Sequence, residues 1–274
     1  MKAGPIGIFD SGYGGLTIMK EIRRSLPQYD YLYLGDNARA PYGVRSFELV
    51  YNFTLEAVQA LFSRGCNLVI LACNTASAKA LRAIQQNYLG KPEEERRRVL
   101  GVIIPTVEAL EDLTATKHVG VLATSGTVSS GSYSIETAKI SPDIRVTEEA
   151  CPMWVPLVEN GEYDNVGADY FVKKKIDSIL ERDPEIDTLL LGCTHYPILL
   201  DVIRRNTPEN IKIVAQGMLV AESLKDYLRR HPEMEEICSK GGTAHFLTTE
   251  NEGKFSDLAS LFLGHDIKAE HVEL

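Results

Sequence analysis

Short apolar runs alternate with helical segments along almost the whole of this chain, and this alternation limits what it can fold into. Each run has the length of a buried strand, and the segments between the runs have the apolar spacing of helices. Such a pattern is typical of α/β proteins whose strands lie mainly parallel. The predicted strands are Ile6–Phe9, Tyr31–Leu34, Leu68–Ala72, Val99–Ile104, Val119–Ala123, Thr188–Leu191, Ile211–Ala215 and Ala244–Leu247.

The segment Ser46–Phe62 shows the helical pattern between two of these runs. Its apolar side chains recur with the roughly 3.6-residue period of a helix that buries one face; they are Phe47, Val50, Tyr51, Leu55, Val58 and Leu61. We expect helices of this kind to cover the faces of the sheets.

A weak internal repeat predicts two similar α/β domains. The sequence GIFDSGYGG at Gly7–Gly15 aligns with GVLATSGTV at Gly120–Val128, and ACNT at Ala72–Thr75 aligns with GCTH at Gly192–His195. All four segments fall where a predicted strand ends. Because ligands of open α/β sheets bind beyond the carboxyl ends of the strands, these segments are the predicted site.

Two polar segments, Lys91–Arg98 and Asn206–Asn210, mark the expected junctions between the domains. The second repeat is complete after Cys193 and the helix predicted to follow it, so we expect the remaining chain to return to the first domain. The predicted division is a first α/β domain of residues 1–98 plus 208–274 and a second of residues 99–207.

Length, composition and charge exclude several classes of protein. The chain has 274 residues, of which 44% are hydrophobic, and is long enough to bury a core without disulfides or metals. Its formal net charge of −9 argues against binding to nucleic acid, and any anionic ligand must rely on local amides and helix N-termini. No apolar run approaches the roughly 20 residues of a membrane span, so we expect no membrane partner.

The five cysteines and the N-terminal segment predict a cytoplasmic protein with reduced thiols. The cysteines are odd in number, widely spaced and without a CxxC pair, and the chain reaches an apolar strand by Ile6 without a signal-peptide pattern. Three of them lie outside the segments that the internal repeat aligns and are predicted to be buried and inert, namely Cys66, Cys151 and Cys238.

The other two cysteines, Cys73 and Cys193, follow strands at equivalent points of the repeat and precede hydroxyl-bearing residues and a predicted helix. Removal of an α-proton from one face of an amino acid and its replacement from the other requires a base opposite an acid. Thiols suit both roles because their ordinary pKa is about 8.5 and modest shifts let thiol and thiolate coexist. The pair predicts a racemase that needs no cofactor, with helix N-terminal amides favouring the thiolate.

Polar residues beside the two thiols are candidates for supporting roles. His195 lies two residues after Cys193 and could relay a proton or stabilise its thiolate. Asp10 and Ser11 end the first strand before a glycine-rich turn, where Asp10 could orient a substrate ammonium or tune Cys73 and Ser11 could donate a hydrogen bond. The GYGG segment lacks the full spacing of a nucleotide-binding loop. Zinc is an alternative use of Cys193 and His195, but a second closely spaced pair of ligands is missing, so we expect no metal.

Together these segments resemble the glutamate racemases of the aspartate/glutamate racemase family, which make D-glutamate for peptidoglycan without a cofactor. The resemblance covers most of the chain, in order: FDSGYGGLT, GDNARAPYG, ACNTASA, IIPTVEA, ATSGTV, PLVENG, GCTHYPIL and FLTT. It implies two α/β domains related by a pseudo-twofold, with L- or D-glutamate enclosed between them. It also implies an isomerase of cell-wall biogenesis, on which cell shape depends, and a homodimer.

The resemblance also implies roles for individual residues. In the family the position of Cys73 deprotonates D-glutamate and that of Cys193 deprotonates L-glutamate. Asp10 is then the partner of Cys73, and Glu159 and His195 are partners of Cys193. Substrate binding is implied for the cysteines, Asp10 and His195 and for Ser11, Pro41, Tyr42, Gly43, Asn74, Thr75, Thr124 and Thr194.

The chain departs from the family pattern at two places: Asn37 stands where Thr is usual, and Ala215-Gln216-Gly217 replaces a short acidic or hydroxyl stretch. Aspartate racemases use the same paired thiols, although His195 and the PLVE segment favour glutamate. Hydantoin racemases and related decarboxylases share the architecture more distantly, and such decarboxylases need only one of the cysteines. A two-domain protein that binds an amino acid without turnover is a further alternative.

Overall fold

The computed structural model describes residues 2–90 and 96–274, which form two β-sheets flanked by helices. The strand pairings within both sheets are parallel. The strands are β1 Ile6–Asp10, β2 Tyr31–Gly35, β3 Leu68–Leu71, β4 Arg98–Gly101, β5 His118–Ala123, β6 Arg145–Ala150, β7 Thr188–Gly192, β8 Lys212–Ala215, β9 Ala244–Thr248 and β10 Ala269–His271.

The internal repeat is visible in the order of the strands. The first sheet runs β10-β9-β2-β1-β3-β4 and the second runs β6-β5-β7-β8. Without β9 and β10 the two orders are the same, so β1 corresponds to β5 and β3 to β7, as the repeat predicts. The predicted fold class, α/β with two similar sets of parallel strands, is confirmed.

Helices connect the strands and cover both sheets. Ser46 caps α2 by accepting a hydrogen bond from the Leu49 amide at 3.3 Å, so this helix begins where its periodicity predicts.

Within the described residues, no helix combines the length and apolar character needed to cross a membrane. The α-helices are α1 Gly15–Ser25, α2 Phe47–Ser63, α3 Asn74–Lys79, α4 Leu81–Ala83, α5 Ile103–Glu108, α6 Leu110–Leu113, α7 Ser125–Ser130, α8 Ser132–Ile140, α9 Trp154–Glu159, α10 Val166–Arg182, α11 Leu200–Arg205, α12 Gly217–Arg230, α13 Pro232–Glu235 and α14 Glu252–Leu263. Shorter helical turns are the 3₁₀ segments Asn37–Arg39, Tyr42–Val44 and Tyr196–Leu199 and the π segment Ile84–Tyr88.

The central strands β1, β3 and β7 are buried along their whole length. Strands covered by helices on both faces read as continuous apolar runs, and this is why they are evident in the sequence. Strand β6 was not predicted, because it is an edge strand of sequence RVTEEA whose side chains are mostly partly exposed. The short edge strand β10 was not predicted either.

Two strands lie in a different sheet from the one that the predicted domain division implies. Strand β4 pairs with β3 in the first sheet, and β8 pairs with β7 in the second. The physical reason is that each repeat contains four strands, so the chain changes sheet one strand later than predicted. It returns to the first half with α12, whose Gly217 lies directly against Glu21 of α1. The division itself stays a prediction, and residues 91–95 of its first junction lie outside the described residues.

Candidate active site

The carboxyl ends of β1, β3, β5 and β7 surround one cavity of about 660 Å³, its mouth included. This volume is within the range of small-molecule sites, about 300–1,000 Å³. Every predicted site residue except Asp10 lines it, and the set is Ser11, Pro41, Tyr42, Gly43, Cys73, Asn74, Thr75, Thr124, Glu159, Cys193, Thr194 and His195. The fold thus brings both thiols and their predicted neighbours to a single cavity.

Cys73 lies at the N-terminus of α3, where its Sγ atom caps the helix. Sγ is 3.5 Å from the amide nitrogen of Ala76 and 3.4 Å from the hydroxyl oxygen of Ser11. Burial raises the pKa of the Cys73 thiol to about 11, and the nearby carboxylate of Asp10 raises it further, against the opposing hydrogen bonds. The amides of α3 therefore favour the thiolate, as predicted, but desolvation is the larger effect.

Cys193 follows β7 and is only 6% exposed. Nδ1 of His195 is 4.0 Å from its Sγ atom, and the chain continues into the 3₁₀ turn Tyr196–Leu199 rather than directly into an α-helix. Burial raises the pKa of the Cys193 thiol well above its ordinary value, and the negative charges of Cys73 and Asp10 act in the same direction. The two thiols are therefore close enough to affect each other's ionisation.

Asp10 lies completely buried behind the cavity wall. Its carboxylate accepts hydrogen bonds from the Gly12 amide at 2.9 Å and from the Thr194 hydroxyl at 3.5 Å. Burial raises the pKa of Asp10, and the charge of His195 opposes that rise. Asp10 therefore acts on Cys73 through space, since no hydrogen bond joins their side chains in the described part of the chain.

His195 connects the cavity to Glu159. Its Nε2 atom is 3.0 Å from Oε1 of Glu159, which ends helix α9. The buried Trp154 at the start of α9 packs edge-on against Tyr196, with ring centroids 4.8 Å apart. This contact fixes the helix that carries Glu159 next to the turn that carries His195.

The segment Pro41–Gly43 closes the cavity on one side and follows a cis peptide bond between Ala40 and Pro41. The Tyr42 hydroxyl donates to Asp36, a buried residue that the sequence did not single out. Gly43 contacts Thr124, and a Cβ atom at Gly43 would lie only 2.9 Å from the Cβ of Thr124.

Hydroxyl groups from both halves of the repeat meet beside this segment. The Thr75 hydroxyl lies 3.0 Å from that of Thr124, which caps α7 by accepting a hydrogen bond from the Thr127 amide at 3.3 Å. No Lys or Arg side chain of the described residues lines the cavity. An anionic ligand would therefore be held by hydroxyls, amides and helix N-termini, as the charge of the chain predicts.

Part of the cavity wall was not predicted. Cys151 is buried in the hydrophobic core, as expected, but it also lines the cavity. It had no signal in the sequence, because it follows the polar edge strand β6. The remaining unpredicted lining residues are Ala40, Val44, Ser125, Pro152, Val155 and Pro156. Among the described residues, no three His, Cys, Asp or Glu side chains converge as metal ligands would.

The fold and this cavity define a class of proteins with two α/β repeats that each contribute a thiol, at equivalent strand ends, to one shared cavity. A sequence profile of the Asp/Glu/hydantoin racemase family matches residues 6–222. The chain therefore belongs to the Asp/Glu/hydantoin racemase family.

Individual relatives agree with this assignment. A glutamate racemase of Ruegeria sp. (strain TM1040) is 43% identical over 97% of this chain and 98% of its own length. A crystal structure of a glutamate racemase isoform from Bacillus anthracis has a TM-score of 0.90 and 34% identity, covering 100% of this chain and 99% of its own. The structure of a glutamate racemase from Francisella tularensis in complex with D-glutamate has a TM-score of 0.85 and 30% identity, covering 100% of this chain and 98% of its own. The predicted resemblance and the prediction of a racemase enzyme are confirmed.

Proposed function

We propose that this protein interconverts L- and D-glutamate by a two-base mechanism in which Cys73 and Cys193 act on opposite faces of the α-carbon. One observation carries the proposal: two buried thiols, from equivalent strand ends of the two repeats, line the same cavity. The relatives described above are glutamate racemases, and one was solved in complex with D-glutamate. Both facts support glutamate as the substrate.

In the proposed reaction one cysteine is a thiolate and the other a thiol. With L-glutamate, the thiolate of Cys193 takes the α-proton, and the thiol of Cys73 donates its proton to the opposite face of the carbanion. The C–H bond broken on one face is replaced by one formed on the other, so the two cysteines end with their protonation states exchanged. D-glutamate reacts by the same steps in reverse.

The neighbouring groups have different roles in this scheme. Burial raises the pKa of both thiols above its ordinary value, so formation of a thiolate at neutral pH needs nearby groups that accept or redistribute a proton. We assign this role to His195 with Glu159 beside Cys193. Beside Cys73 we assign it to Asp10, whose burial-raised pKa makes its carboxylate a stronger proton acceptor although no direct hydrogen bond joins the two side chains. Amides at the N-terminus of α3 would stabilise the charge that develops as the α-proton leaves.

Substrate binding is assigned to the polar residues of the cavity wall. We propose that the two carboxylates of glutamate are held by amides and by polar side chains, among them those of Ser11, Asn74, Thr75, Thr124 and Thr194, with Pro41–Gly43 closing over them. The scheme uses no pyridoxal cofactor, because one thiolate removes the α-proton and the opposite thiol supplies a different proton. In the cell we propose a cytoplasmic homodimer that supplies D-glutamate for peptidoglycan and so supports cell shape.

The proposal is tested by incubating the purified protein with L-glutamate, and separately with L-aspartate, in deuterated buffer without pyridoxal phosphate. Optical rotation and deuterium uptake at the α-carbon are followed together. We expect racemisation with α-exchange on glutamate only. Activity on aspartate alone would show that aspartate, not glutamate, is the substrate. Binding of glutamate without α-exchange would show that the protein binds this amino acid but does not catalyse its racemisation.

A further inference from the structure

Three buried neutral side chains form a closed ring of hydrogen bonds behind the cavity. Nδ2 of Asn74 donates to Oε1 of Gln216 at 2.7 Å, Nε2 of Gln216 donates to the Tyr133 hydroxyl at 2.7 Å, and that hydroxyl donates to Oδ1 of Asn74 at 2.6 Å. All three residues are at most 2% exposed. Each member therefore both donates to and accepts from the ring.

The ring joins parts of the chain that are distant in sequence. Asn74 directly follows Cys73 and lines the cavity, whereas Tyr133 lies on α8 of the second half. Gln216 lies between β8 and α12, where the chain leaves the second sheet and returns to the first half. It also falls within the stretch in which this sequence departs from the family pattern.

A fourth residue fixes the direction in which the hydrogen bonds run. The Thr106 hydroxyl donates to the Val102 carbonyl at 2.7 Å, so its oxygen can only accept from Nε2 of Gln216, which is 2.8 Å away. Nε2 of Gln216 also lies 3.4 Å from the Val102 carbonyl oxygen. If the Gln216 amide were reversed, its oxygen would face the oxygens of Thr106 and Val102 with no proton between them. Burial raises the pKa of Tyr133, so its hydroxyl stays protonated and continues to donate.

This direction determines what Asn74 offers to the cavity. Its Oδ1 atom is occupied by Tyr133, and one of the two Nδ2 hydrogens is occupied by Gln216. The second Nδ2 hydrogen has no protein acceptor among the described residues. The carboxamide is thus fixed as a hydrogen-bond donor, the property needed to bind a carboxylate.

We infer that Gln216 is a positioning residue for the racemisation: through the ring it holds Asn74 with a free N–H that binds a carboxylate of glutamate. This inference rests on the proposed function, since it concerns the substrate of the same cavity. Gln216 does not touch the substrate itself. Its effect passes entirely through Asn74, and this makes the inference testable.

The test compares Gln216→Met, which retains the length of the side chain but removes its hydrogen bonds, with the wild-type protein. We expect the KM for glutamate to rise about tenfold in both directions, because a hydrogen bond to a charged group is weakened. The kcat should change by less than about threefold, because the bond is made in the ground state and the transition state alike. Tyr133→Phe breaks the same ring from the other side and should give the same result.

A double-mutant cycle separates positioning from a general structural effect. In an Asn74→Ala background, Gln216→Met should raise the KM no further, since the group that it positions is gone. The matched control is Gln85→Met, which removes a side-chain hydrogen bond of 2.9 Å to the Val99 carbonyl outside the cavity and should leave the KM unchanged.

Additive effects of Gln216→Met and Asn74→Ala on the KM, or an unchanged KM in Gln216→Met, would overturn the inference. If thermal denaturation shows that Gln216→Met does not fold, Tyr133→Phe takes its place in the double-mutant cycle with Asn74→Ala. Wild-type protein that does not racemise glutamate would instead refute the proposed function, and the inference with it. The two failures are distinguished by the wild-type assay alone.

Discussion

Nε2 of His195 lies 3.0 Å from Oε1 of Glu159, while Nδ1 of the same ring lies 4.0 Å from Sγ of Cys193. The thiol of Cys193 thus adjoins an imidazole that a carboxylate orients. Cys73 has the neutral hydroxyl of Ser11 at 3.4 Å instead. The two thiols occupy equivalent points of the repeat but have chemically different neighbours, so we expect the two proton transfers to respond differently to mutation.

The first prediction uses this difference. In His195→Asn, proton removal by Cys193 should become slower, so the primary isotope effect on kcat/KM should increase for α-deuterated L-glutamate and decrease for α-deuterated D-glutamate. Isotope effects are the appropriate measurement, because the enantiomers have equal free energy in water and kcat/KM must stay equal in both directions. Ser11→Ala removes the hydroxyl beside Cys73. This variant should therefore decrease the isotope effect for L-glutamate and increase it for D-glutamate. Equal isotope effects for both enantiomers in His195→Asn would contradict its pairing with Cys193.

The second prediction concerns the cysteines themselves. Cys73→Ser and Cys193→Ser should each reduce racemisation by at least about a thousandfold, since a hydroxyl is a far weaker acid than a thiol. Cys238→Ser is the matched control, because this buried thiol donates to the Met234 carbonyl at 3.3 Å and a hydroxyl can replace it. Optical rotation measures the activity and circular dichroism the fold. Near-normal racemisation by either active-site variant would eliminate the two-base mechanism.

The third prediction is a pH dependence. Because the pKa of Cys73 is raised to about 11, its thiol is protonated at neutral pH and the thiolate fraction increases with pH. The rate of alkylation of Cys73 by iodoacetamide should therefore increase about tenfold per pH unit between pH 7 and 9 without levelling off. Peptide mass spectrometry locates the modification, and a free cysteine peptide, which levels off near its ordinary pKa, is the reference. A plateau below pH 8.5 would show that burial does not control this thiol.

The fourth prediction tests the close approach between the glycine-rich turn and the Cys193 turn. A Cβ atom at Gly14 would lie 2.3 Å from Oγ1 of Thr194 and 2.5 Å from Nδ1 of His195. Gly14→Ala should displace both side chains and reduce kcat/KM by about a hundredfold, because small misplacements of reacting groups have effects of that size. A Cβ atom at Gly12 would lie 3.7 Å from its nearest neighbours, so Gly12→Ala should reduce kcat/KM by less than about fivefold. Similar activities of the two variants would show that the turn adapts.

The fold class and many residues of the candidate site could be predicted from the amino-acid sequence. Strands buried on both faces must be continuous apolar runs, so β1, β3 and β7 are evident from their residues alone. The repeat likewise places Cys73 and Cys193 at equivalent strand ends. Polar residues that follow such strands necessarily lie at one edge of a parallel sheet. Local sequence therefore carries this information.

Which residues from distant segments meet could be learned only from the folded chain. It assigned β8 to the second sheet, brought Cys151 to the cavity wall and closed the ring of Asn74, Tyr133 and Gln216. It also showed that burial outweighs the helix amides at both thiols, since desolvation depends on everything packed around a group. These properties arise from contacts between residues far apart in the chain, and no local pattern of apolar and polar residues encodes them.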